Sequence, residues 1–368
     1  MKTTGQRRIR VLVVDDSSFL RRSIPLLLET DPGIVVVGTA ANGLEAVRMV
    51  RELRPDVITL DIVMPVMDGL SALKRIMAES PTPVLMLSHG THEGARQTIQ
   101  ALSLGAVDFL AKPSGEVSLD IARIRKELIE KVKTVHSAGA KWFDAGGSAS
   151  EKFRQMVFEA GSESAAAARG ATGTFGARQK IELVAIAAST GGPMALQVVL
   201  GSLPRELPAG LVIVQHISRG FSGALADRLN SVSPLEIRKC TGDEWIVPGL
   251  GLLAPDGRHL KVGRREGKLC ASVVDEPANT LHKPSADVLF SSIAEACPAA
   301  TCAVIMTGMG DDGAGGIKAI YDRGGVTIAQ DEATSVVFGM PKSAIEKGGI
   351  QMVVPVESIA AAILDVLK

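Results

Sequence analysis

Aromatic residues are scarce in this chain: nine Phe, two Trp and one Tyr among 368 residues. Because 46% of the residues are still hydrophobic, the core must be aliphatic, which suits α/β domains with buried parallel strands. Net charge is absent as well, with 40 Lys plus Arg against 40 Asp plus Glu. Cysteine is limited to Cys240, Cys270, Cys297 and Cys302, with no C-x-x-C pair and no His-rich neighbourhood at zinc-site spacing. Buried reduced thiols are expected, not a disulfide framework. No apolar run approaches the roughly 18–20 residues of a membrane span. Behind Arg7, Arg8 and Arg10 the apolar run stops at Asp15, too short for a secretory signal. A soluble, cytoplasmic protein is expected, and the apolar content excludes disorder throughout.

The length suggests two domains, and composition suggests where they divide. Of the 47 residues from Thr134 to Lys180, 26 are Gly, Ala, Ser or Thr, which reads as a linker. Residues 9–133 carry 15 basic and 16 acidic groups, and residues 181–368 carry 16 and 20. Neither part has the basic excess of a nucleic-acid footprint. The linker holds five of the twelve aromatics: Trp142, Phe143, Phe153, Phe158 and Phe175. They either pack against a domain or form a docking segment for a partner.

In residues 9–133 the β-rich runs RVLVVD, IVVVG, DVITLD, PVLMLS and AVDFLAKP alternate with segments of helical period. This alternation predicts a doubly wound parallel sheet with right-handed crossovers. Residues 181–368 alternate likewise through LVAIAAS, LVIVQH, AVIMTGMG and VTIAQ, predicting a second doubly wound α/β domain. Ligands in such sheets bind beyond the carboxyl ends of the strands.

In the first domain those ends offer Asp15 and Asp16, Asp61, Ser88 and Lys112. Three converging carboxylates call for a hard divalent cation, and Mg²⁺ suits a few carboxylates, waters and a phosphate oxygen. Lys112 supplies a point charge for a phosphoryl group. A carboxylate in that setting can accept one as an acyl phosphate. With Phe109 and the pair Lys112–Pro113, this pattern resembles a two-component receiver over nearly the whole domain. The resemblance implies phosphorylation of Asp61 by a histidine kinase, a switch through Ser88, Phe109 and Lys112, and Mg²⁺ held by Asp16, Asp61 and the Val63 carbonyl, with Asp15 acting through water. Val63 stands where receivers often carry a polar residue.

In the second domain, strand LVAIA runs into Ser189-Thr190-Gly191-Gly192 and then a helix-like segment. A serine on such a turn is exposed near helix N–H groups that can stabilise an oxyanion. STGG also reads as a phosphate-cradling loop, and Ser189 as a plain N-cap. His216 ends the strand LVIVQH, and Asp311 and Asp312 follow AVIMTGMG, as an imidazole-orienting acid, helix caps or a metal site. The chain order Ser–His–Asp differs from that of α/β-hydrolases.

AASTGGP, VQHISRGFSGALADRLN, LHKPSADVLF, TGMGDDG and TIAQDEATSVVFGMPKSAI together resemble the methylesterase domain of the CheB family across most of residues 181–368. The resemblance implies Ser189 as nucleophile, His216 as base, Asp312 as orienting acid and the Met309 backbone N–H in the oxyanion hole. Ala187 replaces the usual Gly, and Asp311 occupies a position often Asn. Implied too are demethylation of glutamate methyl esters and deamidation of glutamines on chemoreceptors, with Mg²⁺ serving only the receiver and no cofactor serving the esterase.

Overall fold

Strand-forming runs and helical segments alternate strictly in the first unit of the computed structural model, which describes residues 7–88, 91–112, 121–143 and 180–368. The elements are β1 (Ile9–Val14), α1 (Ser18–Leu28), β2 (Ile34–Ala40), α2 (Gly43–Leu53), β3 (Val57–Asp61), α3 (Gly69–Glu79), β4 (Val84–Ser88), α4 (His92–Ser103), β5 (Asp108–Ala111) and α5 (Ile121–Phe143). All five strands are parallel, in the order β2-β1-β3-β4-β5. Val11 to Val14 and Val84 to Met86 are inaccessible to solvent, which is why these strands read as continuous apolar runs. Side chains of Ser17, Asn42, Asp68 and Thr91 cap the helices that follow them. Sheet order reverses between β1 and β3, opening a crevice beyond their carboxyl ends.

Helix α5 runs through the boundary expected at Thr134. Val135 and Ala138 are buried, and Gly139 lies flush against Pro83, where a Cβ would come within 1.9 Å of the Pro83 ring. Ala138 and Gly139, two of the small residues that resemble a linker in composition, here lie on a close-packing face of a helix. Phe153, Phe158 and Phe175 lie outside the described residues.

The second unit contains β6 (Leu183–Ala188), α6 (Gly192–Gly201), β7 (Gly210–Gln215), α7 (Ser222–Val232), β8 (Glu236–Lys239), β9 (Glu244–Trp245), β10 (Leu250–Leu253), β11 (His259–Arg265), β12 (Lys268–Val274), α8 (Ala286–Ala296), β13 (Thr301–Ile305), α9 (Ala314–Asp322), β14 (Val326–Gln330), α10 (Met340–Glu346), β15 (Met352–Val354) and α11 (Val356–Leu367). Seven strands form a parallel sheet in the order β15-β14-β13-β6-β7-β10-β8. From β6 the chain proceeds to β7 on one side and returns through β13 on the other, so the switch point lies between β6 and β13. The aliphatic core includes Leu183, Val212, Leu289, Ile293 and Ile305, with Phe290 as its aromatic member.

One feature of this unit departs from the strand–helix alternation read from the sequence. An antiparallel sheet, β11-β12-β9, is built on a hairpin whose two-residue turn is Glu266-Gly267. Both residues have positive φ, 51° and 76°, the turn geometry that matches the twist of the paired strands. Among the described residues, no helix is long and apolar enough to cross a membrane. The four cysteines are free and buried, and burial beside Glu244 pushes the Cys240 thiol up to about 12.

Candidate active site

Ser189 follows β6 directly, at the corner between strand and helix α6. Its N–H donates to Thr307 O at 2.9 Å and its carbonyl accepts from Gly192 N at 2.8 Å, so the corner is pinned on both sides. Ser189 is not a helix cap. That position belongs to Gly191, at φ 78° and with no side-chain bond. Nor are the glycines an open cradle. A Cβ on Gly191 would strike Val336, and one on Gly192 would lie 2.0 Å from the Gln215 amide oxygen. Close packing therefore requires the glycines, and Ala187 sits buried within β6 without disturbing the turn.

His216 follows the neighbouring strand β7, its N–H donating to Ala188 O at 3.0 Å. Its Nε2 lies 2.7 Å from Asp312 Oδ2, across 96 residues of sequence. Asp312 also accepts from the Ser285 hydroxyl at 2.8 Å, Ala286 N at 2.7 Å and Asp287 N at 3.0 Å. It thereby sits at the N-terminal end of α8, where backbone N–H groups favour negative charge. Burial pushes the Asp312 carboxyl up, but the hydrogen bond and charge of His216 together with the α8 N–H groups outweigh it. The group is held well below the ordinary carboxylate range. In the neutral form of the ring, an ionised Asp312 takes the His216 proton on Nε2, and the lone pair is then on Nδ1. Nδ1 is buried and has no hydrogen-bond partner, the Ser189 hydroxyl included. In that form Nδ1 is the ring nitrogen left without a protein partner. Asp311 is exposed, and it is Asp312 that makes the carboxylate contacts with His216 and α8.

Met309 lies in the loop after β13, next to Gly308. A Cβ on Gly308 would come within 2.7 Å of the Ser189 Cβ and 2.3 Å of the Met340 sulfur. Gly308 lets this loop approach the serine, and its carbonyl accepts from Gly339 N at 3.0 Å and Met340 N at 2.8 Å.

Several residues that sequence reasoning did not single out complete the site. Buried Gln215 donates through Nε2 to Ser189 O at 2.7 Å and His216 O at 2.9 Å, stitching the two corners together. Asp256 accepts from Gly220 N at 2.7 Å and from the Ser222 hydroxyl, fixing the loop after His216. His282 stacks on His216, with centroids 4.1 Å apart and 15° between planes. Gln215 and His282 lie inside the motifs VQH and LHKPS, so the motifs contained the signal without assigning it.

In the first unit, Lys112 Nζ lies 2.7 Å from Asp15 Oδ2 and 2.8 Å from Asp61 Oδ1, with its side chain only 4% exposed. Carboxylate oxygens of Asp15, Asp16 and Asp61 lie within 4.8 Å of one another. Burial raises the Asp61 carboxyl, the Lys112 hydrogen bond and charge draw it back in part, and Asp15 adds to the rise, so it ends above its ordinary value. Three hard oxygen donors crowded in this way fit Mg²⁺. The loop after β3 closes on Gly69, where a Cβ would lie 2.0 Å from Asp61 O. Val63 in that loop is exposed. Ser88 is buried and bonds to α4, accepting from Thr98 Oγ1 at 2.6 Å and donating to Gly94 O at 3.2 Å. Phe109 is buried, and Pro113 lies outside the described residues.

Residues 184–363 match the family model described as CheB methylesterase, and residues 11–123 match the response regulator receiver domain. The protein-glutamate methylesterase/protein-glutamine glutaminase 1 of Oleidesulfovibrio alaskensis is 43% identical over 364 residues, spanning 97% of this chain and 99% of that protein. Proteins named protein-glutamate methylesterase/protein-glutamine glutaminase from Bacillus licheniformis and Archaeoglobus fulgidus are each 45% identical. They span 98% of this chain, with 99% and 98% of their own lengths covered.

Proposed function

Because the chain belongs to the protein-glutamate methylesterase/protein-glutamine glutaminase family, a response regulator joined to an esterase, we propose that Ser189, His216 and Asp312 carry its hydrolysis. The observation that supports this most is the pairing of His216 Nε2 with a carboxylate clamped by α8, which leaves Nδ1 as a buried, unpartnered base. Ser189 Oγ attacks the carbonyl of a glutamate methyl ester while its proton passes to Nδ1. The Met309 N–H helps hold the oxyanion. Collapse breaks the bond to methoxide, which takes the Nδ1 proton and leaves as methanol. A water then gives its proton to Nδ1 and adds to the acyl-serine. That adduct breaks its bond to the serine oxygen, which takes the proton back from Nδ1, and the carboxylic acid released ionises to the carboxylate in water. A glutamine side chain follows the same course with ammonia as leaving group.

The substrate is a chemoreceptor in a cytoplasmic chemotaxis pathway, and the output is receptor adaptation. The receiver spans residues 9–133, residues 134–180 join it to the catalytic domain, and the catalytic domain spans residues 181–368. Asp61 takes the phosphoryl group from a histidine kinase, with Asp15, Asp16, Asp61 and the Val63 carbonyl as the set that would hold Mg²⁺, and Lys112 facing the phosphoryl oxygens. Mg²⁺ bound there offsets repulsion between carboxylates and incoming phosphate. Phosphorylation adds about −1.5 to −2 charges at Asp61.

A serine-reactive ester probe tests the chemistry. Covalent labelling of the full chain, lost in Ser189→Ala together with methanol release from methylated receptors, is the expected result. Undiminished labelling and turnover in that variant would refute the assignment.

A further inference from the structure

His259, at the start of β11, is wholly buried. Its Nδ1 accepts the Ser285 N–H at 3.2 Å. A backbone N–H aimed at Nδ1 fixes the neutral tautomer with its proton on Nε2. Nε2 faces Pro277 O at 3.2 Å and Thr280 Oγ1 at 3.2 Å. One ring therefore ties both ends of the segment from Pro277 to Ser285, while Gly257 N holds its middle by donating to Lys283 O at 3.0 Å. That segment touches both partners of the proton relay. His282 stacks on the His216 ring, and the Ser285 hydroxyl donates to Asp312 Oδ1 at 2.8 Å.

We infer that His259 is a positioning residue for the esterase, stapling segment 277–285 so that His282 and Ser285 hold His216 and Asp312 in register. The inference rests on the Ser189–His216–Asp312 reading. A fully buried position that must accept at one end and donate at the other suits an imidazole. A glutamine amide supplies the same two functions, whereas a phenyl ring supplies neither and leaves the Ser285 N–H and the Pro277 carbonyl without partners.

The test measures methanol release from methylated receptor membranes by the full-length protein, resolving kcat from KM. His259→Phe should lower kcat by about 10- to 100-fold, the scale of a slight misplacement at a reacting centre, with KM unchanged. His259→Gln should recover most of that loss. In an Asp312→Ala background, His259→Phe should cost less than about threefold, because its route to the reaction is already cut. An unchanged kcat in folded His259→Phe would overturn the inference, as would the same loss in both backgrounds. Should His259→Phe not fold, Thr280→Val and His259→Gln carry the test. Equal kcat in Thr280→Val and wild type, with His259→Gln no better than His259→Leu, would equally refute it. Ser189→Ala is the control that separates the two readings. Turnover surviving there defeats the triad itself, whereas a dead control beside an unaffected His259→Phe defeats only the staple.

Discussion

The two strand-end sites of this molecule solve opposite electrostatic problems with the same topology. At the β1–β3 crevice, the carboxylates of Asp15, Asp16 and Asp61 crowd together, and one buried ammonium, Lys112, pairs with Asp15 and Asp61. Burial leaves Asp61 above its ordinary pKa, so the site is short of positive charge and suited to a cation and a phosphoryl group. At the β6–β13 crevice a single carboxylate, Asp312, is supplied with donors from α8, Ser285 and His216 and lies far below its ordinary value. Here the carboxylate is fully supplied with donors, and the atom left without a partner is His216 Nδ1. A parallel sheet furnishes the crevice in both cases. The side chains at its mouth decide whether it gathers carboxylates or pairs one with an imidazole.

The comparison breaks first at Asp312. Asp312→Asn keeps the shape but presents an amide N–H to His216 Nε2, favouring the wrong tautomer. Methanol release should fall on the order of 10⁴-fold while Asp61 phosphorylation proceeds normally. A loss under tenfold would mean that Asp312 does not fix the proton on Nε2. Asp61→Ala is the reciprocal change. Kinase plus ATP should no longer accelerate methanol release, whereas unstimulated hydrolysis should persist; activation surviving in this variant would detach the charge-gathering site from control of the esterase.

Acid sharpens the contrast through opposite signs. Asp312, depressed in the folded state, contributes stability above its unfolded value near 3.8 and loses it as pH falls through the lower folded value, an effect of order 2 kcal/mol. Asp61, raised in the folded state, penalises the native receiver above its folded pKa, and that penalty disappears as pH falls toward 3.8. Hydrogen exchange resolved by domain should therefore show the esterase losing protection below pH 4 while the metal-free receiver loses less. Asp312→Asn should remove the esterase slope, and an unchanged slope would show that other groups carry it.

The smallest expected effect concerns the loops that close each site. The esterase loop meets its steric demand with Gly308, whereas the receiver loop holds exposed Val66 at φ 68°, a strained state for a β-branched residue. Val66→Gly should stabilise the receiver by up to about 1 kcal/mol, after the entropic penalty of glycine is subtracted. A lowered midpoint in urea unfolding would show that the valine conformation is not strained.

Much of this was legible in the residues. Apolar runs separated by helical periods gave the two parallel sheets, because strands buried on both faces have no polar side to present. The strand-end positions of Asp15, Asp61, Lys112, Ser189, His216 and Asp312 followed from the same alternation. The hairpin at Glu266-Gly267 was missed because its short strands interrupt an α/β rhythm. Composition did not show that α5 continues past Thr134, since small residues that pack a helix against Pro83 are the same ones that loosen a linker. Gln215, Asp256, His259 and Ser285 carry ordinary residue types whose partners lie far along the chain.

What the sequence determined by itself was therefore the fold class and the inventory of reactive groups, because periodicity and strand ends are local properties. Only the tertiary structure decided that Asp312 and not Asp311 meets the imidazole, that it does so at Nε2, and that His259 bonds to residues at both ends of segment 277–285. Those choices depend on atoms brought within 2.7 Å across 96 residues, and separations of that kind leave no trace in local propensity.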